Sequence, residues 1–327
     1  MASNWKDLES RGFLVMPGFL SAAELEMARA DYTAQQTNAN KNYKVSLASP
    51  EANTRLAARV TGVLTDVASE TDLRPDKLGG GAYFATGRGV TFSWHQDHES
   101  FFSTRNHYDY LNFYIPIIKP DRMKSNLCVV PFDVLQRESP RAYRKLYRGG
   151  AARFIRLGSK RVVFCDDSGT VLVMPKDIES MAETPALDAG DLLLMRGDVV
   201  HRTQDADTER VALSFRVANR SGSVTRSALA DGGLYKARMM ANNAGYYERV
   251  FQAFDKAHKD ELSIAELDEM LETIAPTTPK QPRDFMKFLM EQKRRSHVYG
   301  RYWPKVLVGA MAGQMVSLYE RLGKRAH

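Results

Sequence analysis

Two cysteines in 327 residues cannot staple a fold. Both, Cys128 and Cys165, stand in apolar, strand-like runs, so they read as buried thiols of a reducing compartment rather than a disulfide or a metal pair. No apolar run approaches the ~20 residues that a bilayer crossing takes, and Met1-Ala2-Ser3-Asn4-Trp5-Lys6 does not open like a signal peptide. A soluble, cytoplasmic protein without a membrane partner is the expectation. Internal repeats and low-complexity tracts are lacking, which argues against solenoids and disordered tails. Nucleic-acid motifs are missing as well. The excess of 46 Lys and Arg over 39 Asp and Glu, a net charge of +7, therefore names no partner by itself.

The chain is 43% hydrophobic and 10% aromatic, enough for one large core or a core with an appended domain. Histidine is scarce, with seven residues, and one of them sits in Trp94-His95-Gln96-Asp97. On an extended segment a histidine and a carboxylate two apart point the same way. Such a pair becomes a three-ligand metal face once a distant histidine joins it, the 2-His-1-carboxylate arrangement of non-haem Fe(II) oxygenases. The triplet alone is a weak signal, and its context raises it.

That context begins with Ala189-Gly190-Asp191, an apolar strand through Met195, a second turn at Gly197-Asp198, and then His201. Beyond a polar loop comes Arg210-Val211-Ala212-Leu213-Ser214-Phe215-Arg216-Val217. Arg210, Ala212, Ser214 and Arg216 share one face, while Val211, Leu213, Phe215 and Val217 share the other. This is the period of a strand between a polar cavity and a packed layer. An arginine aimed into such a cavity suits a dicarboxylate, because its planar fork grips a carboxylate bidentately.

Taken together, these pieces resemble the phytanoyl-CoA dioxygenase-like branch of the Fe(II)/2-oxoglutarate oxygenases. The resemblance covers about residues 10 to 218 in blocks: Gly12-Phe13-Leu14-Val15-Met16-Pro17-Gly18-Phe19-Leu20-Ser21, Trp94-His95-Gln96-Asp97, Ser125-Asn126-Leu127-Cys128-Val129-Val130-Pro131, and Gly190-Asp191 to Ser214. It implies that His95, Asp97 and His201 bind iron and that Arg210 holds the far carboxylate of 2-oxoglutarate. Thr203, two residues after the distal histidine, stands where a helping hydroxyl often does. Ser214, Asn112 and Tyr114 are further candidates for the 2-oxoglutarate pocket, and for Asn112 a structural hydrogen bond is the other reading. The cosubstrates implied are 2-oxoglutarate and O2. In halogenating relatives the carboxylate ligand is missing. Asp97 is present here, so hydroxylation is the default outcome, with desaturation or ring formation if rebound is slow. Two departures stand out: Pro131-Phe132-Asp133-Val134 replaces the expected Pro-Gly-Ser-His, and residues 134–188 are an enlarged connection of unassigned role.

Many short strands separated by turn signals predict a mainly β core, a double-stranded β-helix or jelly roll, rather than alternating βα units. N-terminal helices buttress it, one after the capping box Ser21-Ala22-Ala23-Glu24 and one over Asn53 to Val67. The expected strands are Gly81–Phe92, Tyr110–Ile117, Leu127–Pro131 and a hairpin over Arg161–Met174. The expected organisation is an oxygenase domain over 1–219, with the insert at about 134–188, and a helical extension over 220–327 packed on the core.

Within that extension, Asp255 to Glu266 has the outline of an EF-hand loop, with Leu262 at the eighth position and Glu266 at the twelfth. Ala257 and Lys259 occupy ligand positions and Asp260 replaces the turn glycine, so a degenerate loop or plain helix-turn-helix is expected. Further on, Lys287, Lys293, Arg294, Arg295, Arg301 and Lys305 interleave with Phe285, Phe288, Tyr299, Tyr302 and Trp303. A solvated helix face is the reading preferred over a nucleic-acid surface. Near the metal motif, His98 falls on the opposite strand face from His95. His107, His258, His297 and His327 read as surface residues, and Arg216 as a substrate contact or a surface ion pair. The substrate expected is a small polar molecule, such as an amino acid, a peptide or a natural-product intermediate, with a bias toward an anionic group. The alternatives are a non-catalytic barrel that binds an acidic partner through the basic helices, and a metal-binding cupin with other chemistry that would not need Arg210.

Overall fold

The structure is a computed structural model and describes residues 5–36, 44–86, 91–97, 109–149, 152–157, 160–165, 170–230, 240–241, 244–276, 278 and 280–295. The chain opens with α1 (Trp5–Ser10), β1 (Phe13–Met16), α2 (Ala22–Gln36), β2 (Lys44–Ser46), α3 (Pro50–Glu70), β3 (Lys77–Leu78) and β4 (Ala82–Ala85). Then follow β5 (Leu111–Ile118), β6 (Leu127–Val130), α4 (Phe132–Glu138), α5 (Pro140–Leu146), β7 (Ala152–Leu157), β8 (Lys160–Cys165), β9 (Thr170–Val173) and a 3-10 turn at Ile178–Met181. The core closes with β10 (Leu192–Arg196), β11 (Val200–Thr203) and β12 (Val211–Ala218). Beyond it lie β13 (Ser223–Thr225), α6 (Arg226–Ala230), α7 (Ala244–Ala257), β14 (Glu261–Ser263), α8 (Ile264–Thr273) and α9 (Pro282–Arg295).

The larger sheet runs β1-β10-β5-β12-β4-β2, with β3 also on β12, and every pairing in it is antiparallel. The second sheet is assembled around the metal motif. His95 bridges to His201 of β11 on one side and to Arg153 of β7 on the other, which joins the β6-β11 ribbon to the β7-β8-β9 meander. Two antiparallel sheets of this kind form the predicted jelly roll. The expected strand into the motif is shorter than its sequence suggested and ends at Ala85; residues 87–90 lie outside the described part. The expected hairpin forms as β8 and β9, with its turn outside the described residues.

Alternation along β12 sorts the layers. Val211, Leu213, Phe215 and Val217 are fully buried against the N-terminal helices, together with Leu56, Val60 and Val67 of α3. Burying each such side chain stabilises the fold by ~1.5–3 kcal/mol. Helix α3 has its apolar positions spaced for one face and begins with Ser49, which accepts from the Ala52 amide, followed by Pro50. The predicted capping box is formed, Ser21 N donating to Glu24 Oε2 at 2.8 Å and Glu24 N to Ser21 Oγ at 3.3 Å. Gly12 has φ 86°, and a Cβ there would sit 2.5 Å from Val199 and 2.6 Å from Phe132, so β1 enters beside the His201 turn only because residue 12 has no side chain.

A second core holds Tyr114, Leu193, Met195 and Ala212 from the large sheet together with Trp94, Val129, Phe154, Val163 and the helices of the insert. Cys128 and Cys165 are free, buried thiols within it. The insert is thus an extension of the smaller sheet, covered on one face by α4, α5 and the 3-10 turn. A third core, built from residues after β12, contains Phe251, Phe254, Leu267, Phe285 and Leu289. Two of the aromatics that interleave the basic segment, Phe285 and Phe288, pack here rather than facing a partner; Arg301, Lys305, Tyr299, Tyr302 and Trp303 lie outside the described residues. Among the described residues no helix is long and apolar enough to cross a membrane.

Candidate metal centre

His95 and His201 form a backbone pair, His95 N donating to His201 O at 3.0 Å and His201 N to His95 O at 2.9 Å. Directly paired residues present their side chains on one face, and the two imidazole centroids are 4.4 Å apart. Asp97 joins from the same segment, its Oδ1 3.8 Å from His201 Nε2. The potential ligand atoms of these three residues all lie within 4.8 Å of one another. His98 lies outside the described residues.

Each imidazole has its other nitrogen against a carbonyl. His95 Nδ1 is 2.7 Å from Ser93 O and His201 Nδ1 is 3.0 Å from Val199 O. A carbonyl can only accept, so Nδ1 is the donor in each ring and Nε2 is the nitrogen that would meet a metal. Burial alone would raise the Asp97 carboxyl pKa, but Arg216 above all, then the two histidines and the Asn112 amide, hold it below the usual carboxylate range. Two imidazoles and one carboxylate gathered on one side fit a divalent iron with open positions.

Asn112 and Ser214 are buried beside the cluster and form a hydrogen-bond chain that ends on the carboxylate of Asp97. Ser214 Oγ donates to Asn112 Oδ1 at 2.8 Å, and Asn112 Nδ2 donates to Asp97 Oδ2 at 3.2 Å. Asn112 thus makes the structural hydrogen bond that its position also allowed, to Asp97. Thr203 Oγ1 accepts from Phe92 N at 3.2 Å. Arg216 is half-buried, stacks over Phe84 at 5.5 Å and acts electrostatically on Asp97.

Arg210 is 4% exposed. Its guanidinium lies 5.3 Å from the Tyr114 ring centroid, and its Nε donates to Ser125 O at 3.1 Å. Ser125 is held in turn: at φ 54° both its N and its Oγ donate to Asp205 Oδ1 at 2.9 Å. The Tyr114 hydroxyl is buried with no hydrogen-bond partner among the described residues, an arrangement that costs ~1–3 kcal/mol unless an incoming acceptor supplies one. Burial, then Arg210, pull the Lys119 ammonium down to about 8 despite Asp121, Asp205 and Asp188. A buried arginine fork, an orphan phenol and a nearby lysine suit the far carboxylate of a dicarboxylic acid.

Gln96, between the two ligands, points to the opposite side and is fully buried. Its Nε2 donates to Asp198 O at 2.6 Å and Leu146 O at 2.8 Å, and its Oε1 accepts from Ala152 N at 3.0 Å. It ties the motif to the His201 turn and to the insert. The turn is fixed by a fully buried Arg196–Asp198 pair at 2.6 Å, with Arg196 lying over Phe132 and Tyr147. Sequence reasoning missed Gln96, Asp198, Ser125 and Arg153. Only Gln96 left a signal, as the in-between residue of a period-2 pattern that must face the core.

No family profile matches the chain, and no curated protein is similar to it in sequence. Among solved structures it is similar to the non-heme alpha ketoglutarate dependent carbocyclase SnoK from nogalamycin biosynthesis, with TM-score 0.46 and 15% identity over 67% of this chain and 84% of that one. The epimerase SnoN from the same biosynthesis gives TM-score 0.44 and 15% identity over 67% and 82%. HygX from Streptomyces hygroscopicus, crystallised with nickel and 2-oxoglutarate, gives 0.42 and 18% over 65% and 84%. These likenesses concern the course of the chain; the site's chemistry rests on its own geometry.

Proposed function

We propose that this protein is an Fe(II)- and 2-oxoglutarate-dependent dioxygenase that hydroxylates an unactivated C–H bond of a small organic substrate. The balance is substrate, 2-oxoglutarate and O2 in, and alcohol, succinate and CO2 out. The observation that carries this reading is the convergence of His95, Asp97 and His201 within 4.8 Å, with both Nδ1 atoms already committed to carbonyls. Iron bound there supplies O2 activation coupled to decarboxylation of the cosubstrate.

The chain's own residues do the placing. Asn112 and Ser214 aim the Asp97 carboxylate. Arg210, fixed by Ser125, takes the distal carboxylate of 2-oxoglutarate, and the Tyr114 hydroxyl donates to the same group. Thr203, Phe92 and β7 border the face on which the substrate approaches.

Succinate formation from 2-oxoglutarate, dependent on iron and O2, tests the proposal. The Arg210→Ala variant should retain iron yet need roughly 10- to 100-fold more 2-oxoglutarate, the worth of a charge-assisted bidentate contact. An iron-loaded protein that forms no succinate would support a non-catalytic barrel. Turnover indifferent to Arg210→Ala would support a metal-binding cupin of other chemistry.

A further inference from the structure

The two ligand-bearing segments run antiparallel, with His95 opposite His201. The next residues along, Trp94 and Arg202, therefore also stand opposite each other and turn to the other face of the sheet. They meet there, the Arg202 guanidinium 5.2 Å from the Trp94 ring centroid. Trp94 is 2% exposed, and its indole N–H donates to Glu179 Oε1 at 2.8 Å. Arg202 Nη2 donates to the other oxygen, Glu179 Oε2, at 3.0 Å. One carboxylate thus spans both segments on the face opposite the two imidazoles.

Glu179 is itself aimed. It belongs to the 3-10 turn at Ile178–Met181, whose N-cap Asp177 accepts from the Glu179 amide, and Ile178 and Met181 anchor that turn in the second core. Arg161 Nη2 donates to Glu179 Oε1 at 2.8 Å, and Arg161 Nε to Asp177 Oδ1 at 3.3 Å. Four residues on, Glu183 and Val129 exchange both backbone hydrogen bonds at 2.8 Å, and Val129 is the β6 partner of His201. Arg202 is pinned too, its Nη1 donating to the Thr203 and Gln204 carbonyls at 2.8 Å. The Glu179 side chain is 38% exposed, and an ion pair that open to water is worth little by itself. Here its cation is already fixed, and it shares its anion with a buried indole N–H that loses its acceptor if the carboxylate goes.

We infer that Glu179 is a positioning residue of the metal centre. Through Trp94 and Arg202 it fixes the register of the segments that carry His95 and His201, so the enlarged connection over 134–188 serves the site from behind. The inference rests on the metal reading proposed above.

Two measurements on the full-length protein test it without turnover: Co(II) titration followed by visible d–d absorption, and hydrogen exchange of the metal-free protein. Glu179→Ala should weaken Co(II) by about tenfold, the lower end of what groups supporting metal ligands contribute, and shift the d–d band. It should also quicken exchange at the His95 and His201 amides, which bond to each other's carbonyls. Glu179→Gln, which keeps an acceptor for Trp94, should recover part of the affinity. Trp94→Phe should give a smaller loss, and in the Glu179→Ala/Trp94→Phe double variant the two losses should not add, since they break one link. Val163→Ala, a truncation elsewhere in the same core, should lower the melting temperature and leave Co(II) affinity and band unchanged. Wild-type affinity and band in Glu179→Ala, or losses that Val163→Ala matches, would reduce Glu179 to a structural residue and overturn the inference. Should Glu179→Ala fail to fold, Glu179→Gln and Trp94→Phe decide by the same readouts. A wild type that binds no Co(II) sinks the metal reading itself, whereas Co(II) bound with no response to Glu179 sinks only the positioning role.

Discussion

Two acid-bearing motifs in this chain have metal-ligand spacing, and they end in different surroundings. In the His95-Gln96-Asp97 and His201 cluster the surrounding groups bring the potential ligand atoms within 4.8 Å of one another. In the Asp255 to Glu266 loop the acids are already paired. Arg226 Nη2 is 2.7 Å from Asp255 Oδ1, its Nε is 3.5 Å from Asp260 Oδ1, and Lys259 Nζ is 2.6 Å from Glu266 Oε1. Glu266 also closes a capping box with Ser263, and its pKa falls to about 2 through Lys259 first and Ser263 next. The helix, strand and helix outline of a calcium loop survives, with β14 paired to β13, but an arginine stands in the place of the ion. Spacing nominates a site; what separates the two is the pair of imidazoles beside Asp97, which the acids of the Asp255 to Glu266 loop lack.

The sharpest way to break this comparison is to remove ligands on each side. His201→Ala or Asp97→Ala should lower Fe(II) affinity by at least about 100-fold, since a three-ligand face cannot spare one, whereas Asp255→Asn should leave iron binding unchanged by calorimetric titration.

Next comes the support beneath the motif. Gln96→Ala strands Ala152 N, Asp198 O and Leu146 O in a dry core, so it should cost ~2–4 kcal/mol of stability by denaturant unfolding and weaken iron by ~10-fold or more. On the other side, Arg226→Ala should destabilise the helical region by ~1–3 kcal/mol through uncompensated Asp255 and Gln292 contacts. Hydrogen exchange should then quicken over 244–273 and stay unchanged in β5 and β12.

The smallest effect is a pH dependence. Lys119, titrating near 8 beside Arg210, is cationic below that pH and neutral above it. The Michaelis constant for 2-oxoglutarate should therefore rise a few-fold as pH climbs from 7 to 9, about what one partly solvated charge contributes, and Lys119→Met should flatten the profile.

Much of the site was legible in advance because strands carry their facing in a period of two. The alternation of Arg210 to Val217 placed Leu213 and Phe215 in the core and Ser214 and Arg216 on the other face, as β12 has them. The capping box, the α3 helix and the buried thiols follow from local chemistry in the same way. Register across distant segments is not local, and there the sequence was silent. Nothing in residues 134–188 announces that β7 lies against His95, or that Gln96 reaches Leu146 and Asp198. The roles of Asn112 and Arg216 likewise depend on Asp97, which reaches them only through folding.

The central claim is that His95, Asp97 and His201 hold iron while Arg210 holds 2-oxoglutarate. Anaerobic titration with Fe(II) and then 2-oxoglutarate tests it most directly, through the weak visible metal-to-ligand charge-transfer band of the chelate. The band should appear in the wild type, vanish in His95→Ala, and demand far more 2-oxoglutarate in Arg210→Ala. A wild-type protein that retains no iron and shows no band would contradict the account.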